Sequence, residues 1–221
     1  TNTLTVASQY YATSSTIEVV VDDTVAVQTA IDAAKAQNRN SLSLENRTYF
    51  IKRLELPDGF TLKGSGDQTR IIKQYWSTEQ AIGDNAIIRP KSGYASYSNI
   101  TIRDLRIDGN AQNQYLTSDT TNNFLNYAVY LYGNDLLFEN IELDNVVGGG
   151  IYSYESSITE NLTVLNSEIT GGGLTYSFDW YPLFADECRS IKVAHNTFRN
   201  FPGPVRISAV QKGIVSPNIV D

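Results

Sequence analysis

The chain of 221 residues has no methionine, one cysteine, one histidine and no long apolar run. Each shortage excludes something. A single thiol, Cys188, cannot form an internal disulfide or a cysteine-based zinc cluster, and it reads as a structural thiol. Without a stretch near the ~20 apolar residues that cross a bilayer, no membrane insertion is expected, and the N-terminus carries neither the basic nor the apolar segment of a secretion signal. The missing Met, even at position 1, suggests a processed product or a segment of something longer. Charged residues make up only 19%, and acidic ones outnumber basic ones 24 to 17, for a formal charge of −7. Such a surface repels phosphate, so no nucleic-acid partner is expected. What the chain does have is tyrosine, 14 residues of it, beside many Asn, Thr and Ser. That mixture suits β-structure facing polar, uncharged partners. No Pro-, Gly- or Ser-rich linker divides the chain, which predicts one domain over 1–221.

Four segments superimpose without a gap: Ser98 to Asp108, Asn134 to Asp144, Glu160 to Thr170 and Arg189 to Arg199. Their first apolar column is Ile100, Leu136, Leu162 and Ile191; the second is Ile102, Phe138, Val164 and Val193; the third is Ile107, Leu143, Ile169 and Phe198. All three columns share the same offsets, 36, 26 and 29 residues. Apolar and polar residues alternate within each segment, the period of a strand with one buried face. Two residues past the second column stand Asp104, Asn140, Asn166 and His195, types that tolerate left-handed backbone at a bend. Phe60 and Leu62 continue the first two columns upstream, with Gly64 at the corner. Stacked coils of this kind form a continuous apolar core. The expected fold is therefore all-β, a single-stranded right-handed parallel β-helix. Val27, Ile31 and Ala34 at helical spacing behind Asp22 and Asp23 predict an amphipathic helix over 22–38 that caps the open end. Coils occupy 40–221, and 1–20 reads as an edge strand or a connection.

A second strand enters each coil: Ala128-Val-Tyr-Leu-Tyr, Gly150-Ile-Tyr-Ser-Tyr, Leu174-Thr-Tyr-Ser-Phe and Pro204-Val-Arg-Ile-Ser. Alternation puts Val129, Ile151, Leu174 and Val205 inside and Tyr130, Tyr152, Thr175 and Arg206 outside, flanked by Tyr132, Tyr154, Ser177 and Ser208. Tyrosines in a row offer flat apolar faces with a hydrogen-bonding tip, which suits sugar rings; ordinary cross-strand stacking is the alternative, and both can hold. The gaps from inner residue to next core column are 7, 11 and 17 residues, so the loops grow as if to shape a groove. They carry Glu155, Glu160, Asp179, Trp180, Tyr181, Asp186 and Glu187. Glycoside hydrolysis needs two carboxyl groups, ~5 Å apart for retention or ~6.5–9.5 Å for inversion. Glu155 and Asp179, just past equivalent strands of adjacent coils, are the candidate catalytic pair. Tyr130, Tyr132, Tyr152, Tyr154, Trp180, Tyr181 and Arg206 are the candidate substrate contacts. Elimination at a uronate needs instead a base and a cation, for which Tyr152 or Tyr154 and Arg206 would serve. No cofactor is expected; calcium at Asp179, Asp186 and Glu187 is the alternative, without supporting spacing. His195 reads as a corner residue rather than a general base, and the Asn-x-Thr triplets at Asn46, Asn99 and Asn161 as turns.

The stretches Asp22-Asp-Thr-Val-Ala-Val-Gln-Thr-Ala-Ile-Asp-Ala-Ala, Leu56-Pro-Asp-Gly-Phe-Thr-Leu-Lys-Gly-Ser-Gly-Asp-Gln-Thr and Ile102-Arg-Asp-Leu-Arg-Ile-Asp-Gly-Asn resemble the pectate-lyase-like β-helix proteins, which include phage tailspikes and alginate epimerases. Members bind, hydrolyse, eliminate or epimerise polysaccharides. In the epimerases an Asp-Pro-His-Glu motif follows a glycine-rich entry; the matching stretch is Gly148-Gly-Gly-Ile-Tyr-Ser-Tyr-Glu155, with Tyr152 at the aspartate and Tyr154 at the histidine. The polygalacturonase elements are absent. The resemblance implies a tailspike-like depolymerase, a homotrimer on a virion tail or secreted, that cuts a surface polysaccharide by hydrolysis. The alternatives are a secreted uronan lyase or epimerase, and a non-catalytic carbohydrate-binding β-helix.

Overall fold

Short strands with one apolar face become stable only by stacking, and the computed structural model shows how they do so over residues 21–74, 86–91, 97–113, 127–146, 148–153, 159–171, 181–201, 203–208 and 210–221. In chain order come α1 (Thr24–Ala36), β1 (Ser41–Ser43), β2 (Thr48–Ile51), β3 (Leu54–Leu56), β4 (Thr61–Lys63), β5 (Arg70–Lys73) and β6 (Ile88–Pro90). There follow β7 (Thr101–Asp108), β8 (Val129–Tyr130), β9 (Asn134–Val146), β10 (Ile151–Ser153), β11 (Glu160–Leu165) and β12 (Glu168–Gly171). The last are β13 (Leu183–Ala185), β14 (Ser190–Ala194), β15 (Thr197–Arg199), β16 (Arg206–Ile207), β17 (Lys212–Val215) and β18 (Ile219–Val220). They pair in parallel and make three faces. The first runs β1-β4-β7-β9-β11-β14-β17 and the second β2-β5-β7-β9-β12-β15-β18, the long β7 and β9 bending to serve both. The third runs β3-β6-β8-β10-β13-β16.

The apolar columns are the core, in the register that the sequence offsets predict. Ile102, Phe138, Val164 and Val193 stand opposite one another, as do Ile107, Leu143, Ile169 and Phe198. All are buried, and Leu62 extends the second column upstream against Ile102. The corner column is left-handed as expected, with φ of 55° at Asp104, 51° at Asn140, 50° at Asn166 and 58° at His195. Two further sets of corners share this conformation: Asn99, Asp135 and Asn161, and then Asn110, Asn145 and Asn200. Side chains link neighbouring corners, Asn140 Nδ2 donating to Asp104 Oδ1 at 2.8 Å and Asn161 Nδ2 to Asp135 Oδ1 at 2.8 Å.

Helix α1 packs Val27 and Ile31 into the same core, against the first coil. Gln28 fixes it by donating to Glu55 O and accepting from Glu55 N. The helix is shorter than 22–38 because the aspartates divide their work. Asp22 Oδ1 accepts from Thr24 N at 2.9 Å, while the buried Asp23 carboxylate accepts from Phe50 N and pairs with Arg47. No helix among the described residues is long and apolar enough to cross a membrane.

Candidate functional site

On the third face Leu54, Ile88, Val129, Ile151 and Leu183 point inward and are fully buried. The residue after each therefore points out. Register then aligns one outward column: Glu55, Arg89, Tyr130, Tyr152, Phe184 and Arg206. Three of these, Tyr130, Tyr152 and Arg206, are sites expected from the sequence. The fourth expected position is corrected: Ile151 pairs with Leu183, so Phe184 fills the place assigned to Thr175. The segment containing Thr175 and Ser177 lies outside the described residues. The connection from the inner residue of β13 to Ile191 is then eight residues instead of 17, and the steady growth of the loops disappears. Glu155 follows β10, whereas Asp179 precedes β13, which removes the reason for pairing them. Tyr154, Glu155, Asp179 and Trp180 themselves lie outside the described residues.

The rings do not lie flat on the sheet. Tyr152 and Phe184 stack face to face, centroids 4.8 Å apart and planes within 9°. Tyr130 leans on Tyr152 at 5.5 Å, and Tyr127 packs on Tyr152 at 4.6 Å. Tyr132 meets Tyr97 edge-on at 5.2 Å. Ring faces are thus largely spent on one another, which corrects the expectation of flat platforms: the column presents ring edges and phenol groups. Glycines make the packing possible. A Cβ at Gly149 would sit 1.8 Å from Tyr127 Cε1, and one at Gly150 would sit 2.4 Å from Pro182 O. The glycine-rich entry is therefore a bare strip of backbone on which Tyr127 rests.

Guanidinium groups stand at both ends of the aromatic rungs. Arg89 donates Nε and Nη2 to Glu55 Oε1 at 3.0 and 2.6 Å. Arg206 lies 5.0 Å over the Phe184 ring, and its Nη1 donates to Tyr181 Oη at 3.4 Å. Tyr181, expected among the substrate contacts, is 8% exposed and holds Arg206 from beneath. Two positions beyond the outward column come Lys91, Tyr132, Asp186 and Ser208. Asp186 follows β13 directly, its N–H donating to Ser153 O, and its carboxylate accepts from Ser208 Oγ and from Glu187 N at 2.9 Å. Asp186 is therefore the described carboxylate held beside the rungs. Among the described residues no three His, Cys, Asp or Glu side chains gather to hold a metal ion. Phe184, Arg89 and Glu55 were missed as site residues; the alternating Leu183-Phe-Ala only eight residues ahead of Ile191 is the signal that would have found Phe184.

No family model matches the chain. It is 31% identical over 168 residues to mannuronan C5-epimerase AlgE4 of Azotobacter vinelandii, and 32% identical over 166 residues to AlgE6 of the same organism. Each match covers 70% of this chain but only 29% and 18% of those relatives. Among solved structures, the A-module of AlgE6 superimposes with a TM-score of 0.69 at 22% identity, over 91% of this chain and 52% of that one. The chain has the parallel β-helix fold of that module. A protein from Parabacteroides merdae described as a glycosyl hydrolase shares the β-helix with a TM-score of 0.67 at 17% identity, over 91% of this chain and 89% of that one. This β-helix spans less than a third of the length of the curated relatives it matches.

Proposed function

We propose that this β-helix binds a uronate-bearing polysaccharide along its third face and removes the proton at C5 of a bound sugar. The observation that carries the reading is the outward column itself. Ring edges bear the positive part of the aromatic quadrupole, and here they are joined by phenol groups and flanked by Arg89 and Arg206. That set favours carboxylate-bearing sugars even in a chain of charge −7. The named activity of the sequence relatives, mannuronan C5-epimerisation, supports it, and it takes the place of hydrolysis by a virion-borne homotrimer.

In the proposed step a base takes the C5 proton and the electron pair spreads into the attached carboxylate. A guanidinium stabilises the resulting enolate. Return of a proton to the opposite face inverts C5; loss of the O4 substituent instead cleaves the chain and leaves an unsaturated sugar. Tyr152 and Tyr154 are the proposed proton carriers and Arg206 the cation, with Tyr130, Tyr132 and Trp180 contacting neighbouring sugars. Asp186 flanks the same sugar. On this reading the solenoid is right-handed, as parallel crossovers almost always are, α1 closes its first end, and the protein works outside the cell, where such polymers are.

The test is incubation with polymannuronate in D2O. Deuterium at C5 of inverted sugars, or unsaturated chain ends that have lost the C5 hydrogen, is the expected result, and Tyr152→Phe, which keeps the ring stack, should slow it by about a hundredfold or more. New reducing ends with neither deuterium at C5 nor unsaturated sugars, abolished by Glu155→Gln or Asp179→Asn, would replace this reading by hydrolysis.

A further inference from the structure

Tyr152, the proposed proton carrier, has a ring on each side along the solenoid. Phe184 stacks on it from the following coil at 4.8 Å, and Tyr127 packs on it from the preceding coil at 4.6 Å with planes at 54°. Tyr130 belongs to the same coil as Tyr127 but stands further off, at 5.5 Å, and is half-buried. Tyr127 is different in kind. It is buried, lies ahead of the outward column, and rests where a side chain at position 149 would begin: a β-carbon there would fall 1.8 Å from its Cε1 and 2.6 Å from its Cζ. The bond from Ala128 N to Gly149 O at 3.0 Å holds the two strands at that spacing.

Resting on the proposed C5 chemistry, we infer that Tyr127 is a positioning residue: its ring, lodged in the gap that Gly149 leaves, closes a clamp with Phe184 that holds the Tyr152 phenol in one direction. Two side-chain rotations place a tyrosine hydroxyl, and both have to be fixed if it is to meet a C5 proton within hydrogen-bond reach. Phe184 fixes the ring plane from one side only. The other side stays open until Tyr127 fills it. Tyr127 is buried, so it acts through Tyr152 and not on the sugar. What the clamp needs is a ring in that space, from whichever strand carries it. The backbone at Gly149 is not left-handed, and the atoms nearest to a side chain there all belong to the Tyr127 ring, so position 149 reaches the same space.

The test is to move the ring from one strand to the other. The readouts are the rate of C5 deuteration or unsaturated-end formation on polymannuronate in D2O, and calorimetric affinity for oligomannuronate. Tyr127→Phe keeps the ring and should retain most of the rate. Tyr127→Ala should lower kcat by about tenfold to a hundredfold, the order expected when a reacting group is misplaced by ~1 Å, with KM and affinity little changed. Tyr127→Ala combined with Gly149→Phe should recover most of the lost kcat. Thermal unfolding shows which variants are folded at the assay temperature, and Tyr127→Leu, which keeps more bulk, should show the same loss as Tyr127→Ala. NMR of 13C-labelled tyrosine should find one Tyr152 rotamer in the parent and in the moved-ring variant, and averaging in Tyr127→Ala. A folded Tyr127→Leu with parental kcat, a loss confined to KM, averaging of Tyr152 in the parent, or a regained single rotamer without regained kcat would each overturn the inference. A parent that forms neither product, yet loses its single Tyr152 rotamer in Tyr127→Ala, would remove the proposed chemistry and leave the clamp; product formation that survives Tyr127→Ala would do the reverse.

Discussion

Replacing Gly149 by alanine adds one methyl group where the structure has no room for it. The new Cβ would meet Tyr127 at 1.8 Å from Cε1, 2.3 Å from Cδ1 and 2.6 Å from Cζ. Carbon atoms rest ~3.5 Å apart, so the ring has to retreat by roughly 1.5 Å. It has nowhere easy to go: Tyr127 is buried, it packs on Tyr152 at 4.6 Å, and Ala128 N is bonded to Gly149 O at 3.0 Å. Overpacking costs ~1–3 kcal/mol, and the rigid ring puts this site near ~3. For a chain of this size that lowers Tm by roughly 6–12 °C, measurable by thermal unfolding. A double-mutant cycle isolates the cause. In a Tyr127→Ala background the methyl enters vacated space, so Gly149→Ala should cost less there by at least ~1.5 kcal/mol. Additive effects, or a single variant as stable as the parent, would refute the contact as the reason for the glycine.

Two other substitutions address the scaffold. Burial pushes the Lys73 ammonium down to about 8 from 10.5. A depressed lysine favours the folded state only above its unfolded value, so that contribution is lost as pH falls from about 10.5 through 8. The parent should lose up to ~3 kcal/mol as pH falls from about 10.5 to 7, a pH dependence that Lys73→Met should not show, as read from urea unfolding. At the corner, Asn140→Ala keeps a β-carbon at φ 51° but loses the amide that eases the left-handed backbone and bonds Asp104, for a loss of about 1–2 kcal/mol. Asn140→Gly should recover the backbone share, and Asn140→Asp should be worse above the carboxylate range, where it faces Asp104 with a like charge.

The coils were legible because burial repeats with strict alternation. Ile102, Phe138, Val164 and Val193 occupy one column at fixed offsets, and a one-residue slip would turn each to solvent. The third face was harder to read. Its strands are two or three residues long, and Leu174-Thr-Tyr-Ser-Phe alternates as well as Leu183-Phe-Ala does. What separates them is the distance to the next core column: Val129 precedes Leu136 by seven residues and Leu183 precedes Ile191 by eight, lengths set by turning one corner. The charged end of the column was hidden because Glu55 and Arg89 lie on three-residue strands with no tyrosine to mark them. Ring orientation was beyond the sequence, since it depends on a glycine making room for Tyr127. Asp23 shows the same limit: an aspartate before a helix suggests a cap, but a neighbouring strand offered it Phe50 N and Arg47.

The stack of Tyr152 on Phe184 ties adjacent coils together and also forms the surface a ligand would meet. Any change of specificity that begins by removing a ring loosens the solenoid at the same stroke. Variants that explore new sugars are thus confined to exchanges that keep the stack, such as Phe184 to Tyr or Trp, or to the end of the column that carries Glu55 and Arg89, where no pair of rings is unstacked. Selection on such a face would show as conserved aromaticity along the rungs, with greater change at the end that carries Glu55 and Arg89.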